Sequence, residues 1–289
     1  MTRAPDLVEE HAPAKINLHL RIVARTADGY HDLETLFQAL ELHDTLEARR
    51  ADETTLDVAG GIETGPASEN LVLRAARAFE AAVPGAPRVA FRLTKRIPSA
   101  AGLGGGSSDA AATLRAMNAL AGSPLAGDAL RELGATLGAD VAFFLCGSPI
   151  AWATGRGEKL VPRATLPAAP VLVVDPGFSV STRDAFGWWD ALPEAARSRV
   201  ASPPPATGPF AALRGAVHND FETVVFARHP ELAAIRDALA RAGASLAMLS
   251  GSGSCVYGLF DADAAADAAA ALIGRIAPRV RVLRTRTRA

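Results

Sequence analysis

A chain of 289 residues with 30 lysines and arginines against 31 aspartates and glutamates has a formal net charge of −1, so no overall basic field draws it to nucleic acid. Its 49% hydrophobic and 21% charged residues exclude global disorder and leave room for one large core or two. Two cysteines, Cys146 and Cys255, are too few for a disulfide framework and read as small buried apolar residues in a reducing compartment. No apolar run reaches the roughly 18–20 residues of a membrane span. The polar start (Thr2, Arg3, Asp6, Glu9, Glu10) lacks a signal-peptide core, so a cytoplasmic protein without a membrane partner is expected.

Ala14–Val23 is rich in Ile, Leu and Val, partly alternating, and predicts an early strand. Asp28-Gly29 signals a hairpin turn, and a second extended run follows over Leu33–Leu42. Asn70 is the expected cap of a helix burying Leu71, Ala75, Ala78 and Phe79. Val89–Thr94 alternates and leads to a glycine-rich loop, from which an alanine-rich helix is expected to start at Ser107–Asp109. Ser123-Pro124 predicts the opening of a further helix, closed by Gly138. Val171–Val174 is a short apolar strand ending in the turn Asp175-Pro176-Gly177. Ser202–Pro209, with Pro203-Pro204-Pro205 inside it, predicts an exposed loop without regular structure. An amphipathic helix over Pro230–Ala242 stops at Gly243; an apolar strand at Cys255–Phe260, an alanine-rich helix and a final strand at Val280–Leu283 follow. Strands and helices mix without steady β-α-β alternation, so the fold class is α+β, with a boundary expected near residues 160–170.

Four segments carry chemistry. Lys15 and Asn17 lie two apart on a strand and so share a face. Pro98-Ser99-Ala100-Ala101-Gly102-Leu103-Gly104-Gly105-Gly106-Ser107-Ser108 runs a glycine loop into a helix, whose free N–H groups and dipole suit a phosphate. No lysine follows the glycines, as a Walker loop requires, and their spacing is not that of the dinucleotide fingerprint. Asp140 follows a helix end and precedes the apolar run Val141–Leu145. Ser250-Gly251-Ser252-Gly253-Ser254-Cys255 is a second small-residue loop before a strand. Taken singly each has a plainer reading: an edge-strand lysine facing water, a flexible linker, a helix-capping aspartate, an ordinary turn. No Gly-x-Ser-x-Gly elbow of an acyl-transfer hydrolase is present.

Taken in order, the segments resemble the GHMP kinase superfamily. Pro13–Leu18, Ala27-Asp28-Gly29-Tyr30-His31, Gly102–Ser108 and Gly138–Val141 are similar to its members that act on cytidine diphosphate-linked methylerythritol, in the non-mevalonate route to isoprenoid precursors. The resemblance implies a two-domain GHMP kinase fold, an N-terminal ATP-binding domain over 1–165 and a C-terminal domain over 166–289, with the active site in the cleft between them. It implies ATP and Mg²⁺, the metal's ligands unassigned, and transfer of the γ-phosphate to an alcohol. Lys15 and Asp140 are the implied catalytic pair, Lys15 holding Asp140 ionised, and Pro98 to Ser108 wrap the ATP phosphates. Asn17, Tyr30, His31, Asp140 and Phe186 are the implied substrate contacts, with Trp188 and Trp189 as rivals of Phe186. Gly251, Ser252 and Gly253 form the implied C-terminal glycine loop. Ser99-Ala100-Ala101 departs from the Met/Gly-rich residues of relatives. The expected partner is a small molecule, not nucleic acid or membrane, and the chain is expected to be a monomer or weak homodimer. Two alternatives stay open: another small-molecule kinase of the mevalonate or homoserine type, and a non-catalytic nucleotide-binding regulator on the same fold.

Overall fold

The computed structural model describes residues 5–62, 66–193, 197, 210–213 and 215–289. Among them helices and antiparallel-rich sheets mix, as an α+β chain requires. They pack as two units, and neither is a continuous half of the sequence. One comprises the stretch ending at Ala14, Leu42–Ser99 and Gly104–Ser148; the other comprises Lys15–Glu41, Ala100–Leu103 and Pro149–Ala289. The long strands β1 (Leu7–Arg25) and β2 (His31–Ala51) each give residues to both. The change of sequence texture near residue 165 is therefore not a packing boundary.

In the first unit, β3 (Thr55–Ala59) runs parallel to β4 (Arg88–Thr94), and β4 pairs antiparallel with Thr45–Ala51 of β2. Four helices complete it: α1 (Leu71–Ala82), α2 (Gly105–Leu120), α3 (Gly127–Leu137) and α4 (Ala139–Leu145). The Asn70 side chain caps α1 by accepting from the Val72 N–H at 2.9 Å. The buried face of α1 is Val72, Ala75, Ala76 and Phe79; Leu71 and Ala78, expected inside, are only half-buried. Buried Ala110, Ala111, Ala112 and Ala116 leave room for α2 to lie close against its neighbours, with Leu114 and Met117 filling the core. Ser123 does not cap α3. Asn118 holds Leu125 through both backbone groups, donating to its C=O and accepting from its N–H at 3.0 Å each, and the helix starts only at Gly127. Gly138 ends it as expected.

In the second unit, Leu33–Gln38 of β2 pairs antiparallel with β5 (Ile150–Gly155), which pairs with β6 (Lys159–Pro162). The Asp28-Gly29 turn closes through Thr26 and Tyr30, with Gly29 at φ 85°. A separate four-stranded antiparallel sheet has the order β10 (Arg281–Arg286), β7 (Pro170–Asp175), β9 (Val256–Leu259), β8 (Leu246–Leu249). The helices α5 (Thr182–Asp190), α6 (Phe221–Arg228), α7 (Pro230–Arg241) and α8 (Asp263–Ile276) belong to this unit. Leu172, Val174, Phe221, Leu239, Val256 and Ile273 lie in its core. The proline-rich run 202–209 lies outside the described residues. Among those described, no helix is long and apolar enough to cross a membrane.

Asn70→Ala removes the acceptor of the buried Val72 N–H, so unfolding in urea should lose about 1 kcal/mol relative to wild type. An unchanged midpoint would show that α1 does not depend on its cap.

Candidate active site

The polar face of β1 enters an apolar surrounding and must satisfy itself there. Lys15 is 4% exposed, and its Nζ donates to Asn17 Oδ1 at 2.8 Å. Asn17 Nδ2 donates to Thr35 Oγ1 at 2.7 Å, and that hydroxyl donates onward to the His19 carbonyl at 2.6 Å. The buried Tyr257 hydroxyl donates to the Asn17 carbonyl at 2.9 Å, tying β9 to the same strand. Lys15 Nζ also lies 5.4 Å from the Phe37 ring centroid. His19 continues the face, stacked on Trp152 and edge-on to His218. Burial, and after it His218, pushes the His19 pKa down to about 4 against the pull of Asp220, so the imidazole is neutral at pH 7.

Two small-residue loops meet beside Lys15. The Lys15 N–H donates to the Leu103 carbonyl at 2.9 Å, and the Cys255 N–H to the Ala101 carbonyl at 3.1 Å. Ser250 Oγ donates to the Gly102 carbonyl at 2.9 Å. Gly102, at φ +79°, is pressed so closely that a β-carbon on it would stand 1.9 Å from the Ser250 carbonyl oxygen. A β-carbon on Gly251 would lie 3.5 Å from Lys15 Nζ. Asn219 Nδ2 holds this second loop by donating to the Leu249 and Gly251 carbonyls at 2.9 and 2.8 Å. Ser252 Oγ shares a 2.8 Å hydrogen bond with Thr182 Oγ1 at the start of α5.

In the first unit the helix after the glycines begins at Gly105, two residues ahead of expectation. Gly104 takes the capping position in the left-handed region at φ 70°, with no side-chain cap and no acidic residue in the first turn. Glycine reads as loop from propensity, but the first turn tolerates it because its N–H groups have no partners within the helix. Gly105 packs tightly there: a β-carbon would stand 3.0 Å from Ile97 Cγ2 and 3.3 Å from Lys95 Nζ, so those side chains would have to give way. Lys95 is buried between Asp44 and Asp109, 2.8 Å from the Asp109 Oδ2. Asp44 also accepts from the Arg96 and Ile97 N–H groups. Burial pulls the Lys95 pKa down, but the two carboxylates together hold it above the ordinary value. Burial raises Asp109 to about 7, Lys95 opposing and Asp44 adding to the rise. Two carboxyl groups around one ammonium leave one of them poorly compensated.

Two family models match the chain, described as GHMP kinases N terminal domain over 70–148 and GHMP kinases C terminal over 206–276. A protein of Solibacter usitatus named 4-diphosphocytidyl-2-C-methyl-D-erythritol kinase is 46% identical, over 86% of this chain and 80% of its own length. The chain belongs to the GHMP kinase family. A solved structure described as 4-(cytidine 5'-diphospho)-2C-methyl-D-erythritol kinase matches with a TM-score of 0.80 and 36% identity, covering 98% of this chain and 100% of the other. A homoserine kinase structure from Cytophaga hutchinsonii has a TM-score of 0.76 but 18% identity, covering 100% of this chain and 96% of that one, and shows the shared fold alone.

The GHMP kinase motifs thus distribute over both units. Lys15, Asn17, the stretch Ala100–Leu103 and Gly251–Gly253 come together in the second, while Gly104–Ser108 and Asp140 belong to the first. Asp140 lies inside the first turn of α4, which starts at Ala139, so it is not the cap of that helix. Tyr30 is 56% exposed, with the Arg156 guanidinium 3.7 Å over its ring. Phe186 is stacked on His31, centroids 4.3 Å apart. Asn219, Thr35, Tyr257, Lys95 and Asp44 are missing from the sequence reading. The polar triplet His218-Asn219-Asp220 before an apolar helix was the available signal for the first.

The folded pKa of His19 lies below the ordinary 6.5, so the unfolded chain takes up the proton first as pH falls. Its contribution to stability is full above that value and is lost as pH drops toward about 4. Urea unfolding of wild type and His19→Phe at about pH 7.5 and pH 4 should show the variant spared up to about 3 kcal/mol of the acid loss. Equal losses would mean that His19 is not held neutral by burial.

Proposed function

We propose that this chain transfers the γ-phosphoryl group of ATP to the 2-hydroxyl of 4-diphosphocytidyl-2-C-methyl-D-erythritol, giving the 2-phosphate and ADP in the non-mevalonate route to isoprenoid precursors. The observation that carries this reading is 46% identity, over most of both chains, with a relative named for that substrate. The geometry agrees with it. Phosphoryl transfer has a loose transition state with charge spread over the moving group, so positioning and electrostatics do most of the work. The start of α2, without side-chain cap or acidic residue, offers N–H groups and the positive end of a helix to phosphate oxygens. Positive φ at Ala100, Gly102 and Gly104 is the alternating backbone in which successive N–H groups converge on an anion.

Lys15, held by Asn17, supplies a fixed positive charge for the moving phosphoryl group. Asp140 accepts the proton of the attacking hydroxyl. A carboxylate is a weak base toward an alcohol, which suffices when the proton leaves late, after the phosphoryl group has largely transferred. Ser108 Oγ is a buried oxygen without a hydrogen-bond partner among the described residues, and it fits the water shell of a Mg²⁺ ion at the start of α2. Mg²⁺ bound there would neutralise charge on the phosphates. Tyr30, His31 and Phe186 are the proposed contacts to the cytosine. The N-terminal part, 1–165, would supply most of the ATP contacts, and 166–289 the C-terminal loop.

A coupled ADP-release assay with the cytidine diphosphate-linked substrate, beside mevalonate and homoserine, tests the acceptor; turnover confined to the latter two would refute it. Asp140→Asn and Lys15→Ala should each lower kcat by about two to four orders of magnitude with unchanged circular dichroism. A folded Asp140→Asn protein with wild-type kcat would remove Asp140 from the role of base.

A further inference from the structure

The imidazole of His31 is gripped by one face of α5. Phe186 lies flat on the ring, with planes 10° apart, and Trp189 meets it edge-on at 6.0 Å and 89°. Asp190 Oδ1 lies 2.8 Å from His31 Nε2. These three residues are spaced i, i+3 and i+4, so one turn of helix presents stacking surface, edge and carboxylate together. Arg25 Nη1 lies 3.7 Å from the carboxylate oxygen Asp190 Oδ2, and Arg197 holds the residue's backbone by donating to its carbonyl at 3.1 Å. His31 is 8% exposed, so the ring has little freedom to turn away from this socket.

A carboxylate can only accept, so the hydrogen of a neutral His31 must sit on Nε2, and Nδ1 is left as an acceptor. An acceptor suits an amino group and is wrong for a carbonyl. Cytosine carries an amino group at ring position 4, where uracil carries a carbonyl oxygen. We propose that Asp190 is a positioning residue that fixes the His31 tautomer and thereby selects a cytidine over a uridine acceptor. This rests on the proposed contact between His31 and the base of the substrate. An asparagine at this position can present its amide N–H to Nε2 instead, which moves the ring hydrogen to Nδ1 and reverses the preference.

Two readouts on the intact protein test it. In long-range ¹H–¹⁵N spectra of ¹⁵N-histidine-labelled protein, recorded where the His31 ring is observed to be neutral, wild-type His31 should be in the Nε2–H form and Asp190→Asn should populate the Nδ1–H form. In steady-state assays Asp190→Asn should reduce the kcat/KM ratio of the cytidine to the uridine diphosphate substrate by about ten- to a hundredfold, leaving KM for ATP unchanged. Asp190→Glu keeps an acceptor and should preserve the preference for cytidine. A wild-type His31 in the Nδ1–H form, or an unchanged ratio in folded Asp190→Asn, overturns the proposal. Wild-type protein that shows the Nε2–H form but turns over neither nucleotide substrate instead overturns the acceptor assignment, and the selectivity claim with it.

Discussion

The Ser250 carbonyl oxygen occupies the place where any side chain on residue 102 would begin. That contact is backbone against backbone, and only glycine allows it. Around it three segments far apart in sequence become one body: Lys15 binds Leu103, Cys255 binds Ala101, and Ser250 binds Gly102. Packing follows from this. Lys15 is buried because the loops cover it, and its ammonium then needs the Asn17 and Thr35 chain for hydrogen bonds. Asn219 serves the same end from the other side by holding two carbonyls of the 249–251 stretch. A lysine so held loses little freedom when a phosphate arrives, which is how pre-organisation reduces the cost of binding.

The first unit has its own fixed point in Lys95. Two carboxylates converge on one ammonium, and Gly105 leaves the space that lets Lys95 reach them. Removing one partner of such a buried group is costly, because the charge left behind has no water to turn to. Asp109 thus links the second turn of α2 to β2 and to the segment after β4. The start of the helix is thereby set by charge pairing and not by a side-chain cap. Its N–H groups stay available to a ligand.

Much of this was legible in the residues. Alternation and an Asp-Gly turn located β1, β2 and β4, and short apolar runs located β7 and β9, because such patterns report on local backbone alone. Lys15 and Asn17 share a face by strand geometry, and the structure joins them directly. The misses have a common cause. The expected start of α2 came too late because glycine was weighed by propensity, whereas its place is decided by Lys95 and Ile97, packed from elsewhere in the unit. Ser123-Pro124 mimics a helix opening, yet Asn118 commits those residues to a turn. Lys95, Asp44 and Asp190 went unseen because each acts through a partner 14 to 159 residues away, and no local pattern marks such pairings. A change in composition near residue 165 likewise could not reveal that β1 and β2 serve both units.

The most direct measurement is ATP affinity and kcat/KM of Gly102→Ala, with Gly127→Ala as a control whose added β-carbon meets nothing within 4 Å. If the approach of Ser250 to Gly102 sets the phosphate loop, a forced shift of about an ångström should cost on the order of a hundredfold in kcat/KM and weaken ATP binding, while Gly127→Ala stays near wild type. Wild-type affinity and turnover in a folded Gly102→Ala protein would contradict it.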